Sequence, residues 1–322
     1  MGYKVAVVGA TGLVGRTMLR VLEGRRFPVS ELVLYSSSSG KTLDFAGTGF
    51  KTTGLSPSAV EHFDLALFSA GKAVSLKYAP LFAKKGALVV DNSSAWRQHP
   101  SVPLVVPEVN PKALENIPLN IVANPNCSTI QLVIALNPLV PSGIKEVFVA
   151  TYQAASGAGQ KGIEALSKEE KGKKAEDSPH GSVLHRNVIP AIGPETQGFF
   201  QEEEKLMTET VKILGRKIAV YPTAVRVPVI TGHGEAVAVR LSRKVSLRLI
   251  QKRMRQQDGL ALEERPITPK DAAGKPDVFV SRLRLHPENP KMLMMWVVAD
   301  NLLKGAALNA VQIAERVLVG QH

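Results

Sequence analysis

The chain of 322 residues holds one cysteine, Cys127, in the stretch ANPNCST (123–129). A lone cysteine is most often a small buried hydrophobe, but its position can make it a nucleophile. The preceding LNIVA is the pattern of a buried strand, Pro125 and Asn126 interrupt it, and STIQLVIALNPLV (128–140) has helical character. Cys127 is therefore expected at the first turn of a helix with Asn126 as its N-cap. There the helix dipole and open amides favour a thiolate and can hold the oxyanion of a tetrahedral intermediate. Such a thiolate needs an acid or base. Of the seven histidines, His62, His99 and His286 lie in polar, loop-like surroundings, His180 and His185 flank a loop expected to be exposed, and His322 is terminal. His233 follows a strand and sits between two glycines in RVPVITGHGEAV, so its ring is free to enter a cleft. Arg226, on the same segment, is a candidate carboxylate clamp, and Arg97 in DNSSAWR (91–97) suits a phosphate or a carboxylate.

These residues need a frame. YKVAVVGA (3–10), ELVLYSS (31–37), FDLALFSA (63–70), GALVVDNSS (86–94) and LNIVANP (119–125) read as strands separated by helical segments such as GRTMLRVLEG (15–24). That alternation implies a parallel, doubly wound α/β sheet of the Rossmann type. GATGLVG (9–15) lies between the first strand and first helix, where Gly9 allows a tight turn, Gly12 a close backbone approach to a pyrophosphate, and Gly15 tight helix packing. A dinucleotide is the implied ligand. After the second strand, LYSSSSGK (34–41) offers hydroxyls and Lys41 but no acid before Asp44, which favours NADP(H) over NAD, with an ordinary serine-rich loop or dual use as the alternatives.

From about residue 143 the texture changes to longer strands, IKEVFVATYQAAS, KIAVYPTAVRVPVI, EAVAVRLSR and KMLMMWVVAD, between loops rich in Gly and Pro. A second, α+β domain with a mostly antiparallel sheet is expected. The boundaries read as 1–127 for the dinucleotide-binding domain and 128–302 for a catalytic and dimerisation domain. An amphipathic helix over about 303–322 then packs back on the first. The segment 167–200, with the charge run SKEEKGKKAED (167–177), reads as an exposed helix end and loop.

Composition narrows the function class. No run approaches the roughly 18 apolar residues of a membrane span, and the start has no signal-peptide layout, so a cytoplasmic protein is expected. One cysteine excludes an internal disulfide framework, and no Cys/His cluster suggests a zinc site. The net charge of +12 lacks the aromatic-interleaved basic stripe of a nucleic-acid binder and suits instead the steering of small anions.

Together VAVVGATGLVG, LFSAGKAVS, VVDNSSAWR, PLVVPEVN, ANPNCST, ATYQAASGAGQKG, AVRVPVITGHGEAV and DNLLKGAALNAVQIAE resemble the bacterial aspartate-semialdehyde dehydrogenases, in order from residue 4 to residue 316. The resemblance implies NADPH-dependent reductive dephosphorylation of aspartyl phosphate to aspartate semialdehyde through a cysteine thioester, in lysine, threonine, methionine and diaminopimelate biosynthesis. It assigns Cys127 as nucleophile, His233 as acid/base and Gln153 as the group orienting substrate near the cysteine. Substrate would be held by Arg226 at its α-carboxylate, Arg97 and Lys205 at phosphate, and Glu202 at the amine, with Asn126 shaping the phosphate or oxyanion pocket. Glu203 and Glu204 compete with Glu202 for its role. Cofactor would meet Gly9, Thr11, Gly12, Leu13, Val14, Gly15, Ser36, Ser37, Ser38, Lys41, Ser69, Ala70, Gly71, Asn92, Ser156, Gly157 and Asn301. A homodimer is implied, with a tetramer as the alternative and no nucleic-acid or membrane partner. Two rival readings use the same residues: another acyl-phosphate reductase, of the N-acetylglutamyl-phosphate type, and a non-catalytic nucleotide-binding relative.

Overall fold

The computed structural model describes residues 2–320; Met1, Gln321 and the terminal His322 lie outside the described residues. The chain divides into two compact units, Met1–Asn126 with Ala306–His322, and Cys127–Gly305.

Unit 1 is built on β1 (Tyr3–Val8), β2 (Val29–Tyr35), β5 (Leu65–Phe68), β6 (Leu88–Asp91) and β7 (Ile121–Ala123), while β3 (Thr42–Phe45) and β4 (Thr48–Lys51) form a separate hairpin. The five run parallel in the order β2-β1-β5-β6-β7. Helices α1 (Leu13–Gly24) and α2 (Lys72–Lys84) supply the first crossovers. Every residue of β5, β6 and β7 is buried, because a parallel sheet is covered on both faces; this is why these strands read as unbroken apolar runs. Tyr35, Phe63, Phe68 and Phe82 pack mainly edge to face inside the unit.

The C-terminal helical segment departs from expectation. Its centre, α8 (Leu308–Ala314), is flanked by wider helical turns over Leu303–Ala307 and Glu315–Val319. It is buried nearly all round rather than along one stripe, because it packs against both α1 and the sheet at β6. Asn309, fully buried, donates through Nδ2 to the Val105 carbonyl (2.9 Å) and to Asn124 Oδ1 (2.7 Å). Arg25 grips Glu315 with two 2.7 Å bonds.

Unit 2 starts with α3 (Cys127–Leu136) and carries β8 (Ile144–Gln153), α4 (Gly159–Glu170), the small β9 (Glu195–Thr196) and β10 (Phe199–Phe200) pair, and α5 (Gln201–Leu214). Then follow β11 (Ala219–Arg226), β12 (His233–Leu241), α6 (Leu247–Arg255), β13 (Leu260–Leu262), α7 (Pro269–Ala272), β14 (Val278–Leu285) and β15 (Met292–Ala299). The six-stranded sheet has the order β11-β8-β12-β15-β14-β13. Its three central pairings are antiparallel and the two outer ones parallel.

Burial alternates along β8, β11 and β12, the period of two that marks a sheet with unlike faces. One face is covered by α3, which packs on β14 and β15, and α5, which packs on β11. The other exposes Phe148, Tyr152 and Tyr221, with the Phe148 and Tyr221 rings stacked at 4.9 Å.

The segment 167–200 is only partly exposed. Glu169, inside the charge run, is buried and accepts from the amides of Leu184 (2.8 Å) and His185 (2.9 Å). Leu184 and Ile189 join a small core with Ala155 and Leu166. His180, expected to flank an exposed loop, is buried with Nε2 bonded to the Gly162 carbonyl at 3.0 Å. Gly162 makes the room, since a Cβ there would lie 3.1 Å from the His180 ring. No helix among the described residues is long and apolar enough to cross a membrane, and no described His, Cys, Asp and Glu cluster is arranged to hold a metal ion.

Candidate active site

Unit 1 presents the glycine loop between β1 and α1. Gly9 has a φ of +87°, a region that costs other residues strain, and a Cβ there would lie 2.4 Å from the Ser69 carbonyl oxygen. A Cβ on Gly15 would lie 2.3 Å from the Gly9 carbonyl oxygen, so the loop folds tightly onto the start of the helix. At Gly12, the N-cap of α1, a Cβ would meet nothing closer than 3.4 Å, which leaves its outer side open to a ligand. The amides of Leu13, Val14 and Gly15 belong to the first turn, which has no earlier carbonyls to bond.

Beside the loop lies a cavity of about 590 Å³ lined in part by Gly9, Thr11, Gly12, Ser36, Ser37, Ser69 and Ala70. Thr11 Oγ1 and Ser36 Oγ are bonded at 2.9 Å, and Ser36 Oγ also accepts from the Ser38 amide at 3.2 Å. Ser37, Ser38 and Lys41 are exposed, and Thr52 holds the loop through the Ser38 carbonyl (2.9 Å) and the Lys41 amide (3.1 Å). Gly71, at +85°, opens α2. A cradle of this kind, glycine-walled, at a helix N-terminus and followed by hydroxyls and a lysine, fits a phosphate-bearing dinucleotide.

The same unit orients Arg97. The guanidinium is buried, with Nε donating to the Asn124 carbonyl (3.0 Å) and Nη2 to the Asn92 carbonyl (3.1 Å). Asn92 also accepts from the Asn124 amide through its side chain.

Unit 2 gathers the remaining residues. Cys127 is the first residue of α3, with Asn126 immediately before it, and it is partly accessible. Gly305 backs onto it, because a Cβ there would lie 2.9 Å from the Cys127 Cβ. Gln153 ends β8 and Arg226 ends β11, directly opposite each other in the parallel register. Gln153 Nε2 donates to Glu202 Oε1 (3.2 Å) and to Thr151 Oγ1 (3.3 Å), and Lys205 Nζ donates to Glu202 Oε2 at 2.9 Å. The three neighbouring acids separate by environment. Glu203 is spent on the amides of Phe200 (2.9 Å) and Ala224 (3.0 Å), tying the start of α5 to the sheet, and Glu202 alone of the three joins Gln153 and Lys205.

His233 opens β12 and is fully buried. The Ala154 amide donates to its Nδ1 at 3.1 Å, so the neutral ring carries its proton on Nε2. Nε2 has no partner among the described residues. Burial first, and the Arg226 cation second, push the imidazole down to about 3 from its usual 6.5, against the pull of Glu202. Arg226 Nη1 donates to the Ala154 carbonyl at 2.9 Å, so Arg226 and His233 are both aimed by one residue. Gly157 stands where they meet: a Cβ there would lie 2.5 Å from Arg226 Nη1 and 3.3 Å from His233 Nε2. Burial draws the Arg226 guanidinium below its ordinary range, against Glu202 and Cys127, which pull it back up.

Ser156 and Asn301 have their side chains turned to each other at 2.9 and 3.2 Å, and Asn301 Oδ1 also accepts from the Gly232 amide at 2.8 Å. Composition and spacing carried no signal for Ala154 or Gly305, which act through backbone and through lack of a side chain.

Two family models match most of the chain. The semialdehyde dehydrogenase NAD binding domain matches residues 4–117, and the semialdehyde dehydrogenase dimerisation domain matches 136–304. The aspartate-semialdehyde dehydrogenase of Aquifex aeolicus is 47% identical, over 98% of both chains. The chain belongs to the aspartate-semialdehyde dehydrogenase family. A second member, aspartate-semialdehyde dehydrogenase 2 of Vibrio cholerae, is 44% identical over 97% of both chains. The crystal structure of aspartate semialdehyde dehydrogenase II from that organism superposes with a TM-score of 0.94 at 43% identity over the full length of both chains. The same protein has been solved complexed with ASA, again at a TM-score of 0.94.

Proposed function

We propose that this chain reduces aspartyl phosphate to aspartate semialdehyde with NADPH, releasing phosphate. The observation that carries the mechanism is the state of His233. Its Nδ1 is occupied by the Ala154 amide, its Nε2–H is unspent, and Arg226 stands beside it.

The Cys127 thiolate attacks the acyl carbon, forming the C–S bond. As the tetrahedral adduct collapses, the C–O bond to phosphate breaks and a thioester remains. Arg226 holds the substrate carboxylate by its fork, Glu202 takes the amine, and Arg97 and Lys205 take the phosphate. Gln153, held by Glu202 and Thr151, orients the acyl group. The neutral His233 ring donates from Nε2 to the developing oxygen or sulfur charge. With Nδ1 blocked and the ring neutral, it serves as a hydrogen-bond donor, and it is not the group that first deprotonates the thiol. The chemistry that NADPH supplies when bound is a hydride for the thioester. The resulting adduct expels the Cys127 thiolate and frees the aldehyde.

The unit 1 cradle suits the cofactor: first-turn amides for the pyrophosphate, and Ser37, Ser38 and Lys41 for a 2′-phosphate. The exposed aromatic face of the unit 2 sheet suits a second copy of the chain, in keeping with the dimerisation-domain description of residues 136–304.

The test runs in the reverse direction. Aspartate semialdehyde, phosphate and NADP should give NADPH absorbance that depends on all three. Cys127→Ala should abolish it and leave NADP binding intact. Turnover surviving in that variant sinks the thioester route, and an inactive wild type that still binds NADP sinks the assigned activity.

A further inference from the structure

Outside the residues given roles above, unit 2 buries one acid completely. Glu235 lies on β12 two residues beyond His233, on the same covered face of the sheet, with no exposed surface. Its cross-strand partners are Thr151 on β8 and Val297 on β15, neither charged. Neither carboxyl oxygen has a hydrogen-bond partner of normal geometry. The polar group beside it is Gln131, whose Oε1 is likewise buried and unpartnered. A buried carboxylate facing no cation is costly, and orphaned oxygens are costly too.

One proton settles both. Burial raises the affinity of Glu235 for a proton well above the ordinary carboxylate range, against a smaller opposing pull from Gln131, and the O–H of the resulting carboxylic acid has the unpartnered Gln131 Oε1 to donate to. Gln131 then has one side of its amide committed to Glu235 and the other to His233, whose carbonyl accepts from Gln131 Nε2 at 3.2 Å. Gln131 is also one helical turn after Cys127 on α3, so it projects from the same flank of that helix as the nucleophile.

We propose that protonated Glu235 is a positioning residue for the reaction: through Gln131 it locks the Cys127 turn of α3 to the backbone of His233. The strand alone sets the height of His233, and the helix alone sets that of Cys127. The Glu235–Gln131 bond couples the two, so that sulfur and imidazole keep one distance during turnover. Thr151, opposite Glu235, accepts from Gln153, so the third reacting side chain is supported by the same buried polar layer.

The inference rests on the activity proposed above, and its test separates the two. In the full-length enzyme, Glu235→Leu keeps the volume and removes the donor. The expected result is a fall in kcat of about 10- to 100-fold with the KM for NADP unchanged, the scale of misplaced reacting groups. Glu235→Gln keeps a donor for Gln131 Oε1 and should restore kcat to within about fivefold of the wild type. The alkylation rate of Cys127 by iodoacetamide should follow kcat across the series. If Glu235→Leu does not fold, Gln131→Met interrupts the same bond from the other side and should show the same loss. Wild-type kcat in Glu235→Leu or Gln131→Met overturns the proposal. So does Glu235→Gln losing as much kcat as Glu235→Leu, since the retained donor to Gln131 would then count for nothing. An inactive wild type, by contrast, counts against the proposed activity itself.

Discussion

Full burial of His233 beside a cation predicts a histidine that refuses to titrate. Its imidazole is pushed from 6.5 to about 3, chiefly by burial. The sign follows from linkage. A group whose folded pKa lies below its unfolded value binds protons better in the unfolded chain, so the native state loses stability as pH falls below about 6.5. Each pKa unit is worth about 1.4 kcal/mol, so the loss reaches about 2 kcal/mol at pH 5, a depth of about 1.5 units. It continues to grow toward pH 3. Two measurements check this. In a ring-carbon NMR titration of histidine-labelled protein, the resonance that disappears in His233→Asn should not move between about pH 8 and pH 5. The acid-side fall in unfolding free energy should be shallower in His233→Asn by about 1.4 kcal/mol per pH unit below about pH 6, and unchanged above about pH 7. Catalysis follows the same logic: no ionisation near 6.5 belonging to His233 should shape the rate profile, because the ring is neutral on both sides of it. A midpoint near 6 for that resonance would refute the reasoning and restore His233 as an ordinary base.

Gly157→Ala should lower kcat by roughly 100-fold with little loss of thermal stability, because its methyl would sit 2.5 Å from Arg226 Nη1 and 3.3 Å from His233 Nε2; steady-state kinetics beside a melting curve tests it. Replacing Phe148 and Tyr221 together by Glu should convert a dimer into monomer in sedimentation, since these stacked rings are 41% and 50% exposed on the open sheet face and two buried unpaired charges in each copy are unfavourable. An unchanged sedimentation coefficient would move the interface elsewhere.

Much of the fold was legible from local pattern. Fully buried parallel strands have to be apolar at every position, so β5, β6 and β7 announced themselves as apolar runs. Cys127 at the opening of α3 followed from Pro125 and Asn126 interrupting a strand just before a helical run. The C-terminal helix misled, because its alternating polar residues look outward in a one-dimensional reading. Asn309 is in fact wholly buried, its amide satisfied by Val105 and Asn124 from distant parts of the chain. His180 misled for a similar reason: a gap at Gly162 accepts it, and a missing side chain leaves no mark on the polarity of a loop.

What the sequence by itself determined is the inventory and its local placement: a thiol at a helix start, a glycine loop between strand and helix, and an arginine and a histidine at the ends of successive strands along the chain. Only the tertiary structure decided what each group can do. Which nitrogen of His233 holds the proton depends on the Ala154 amide, 79 residues away. Which of three adjacent glutamates meets Gln153 depends on a contact across 49 residues, and the bond from Gln131 to His233 spans 102. Propensity and periodicity act over one or two turns of chain, whereas protonation and burial are set by whatever the fold brings alongside. The residue types were therefore readable in order, and their chemistry only in space.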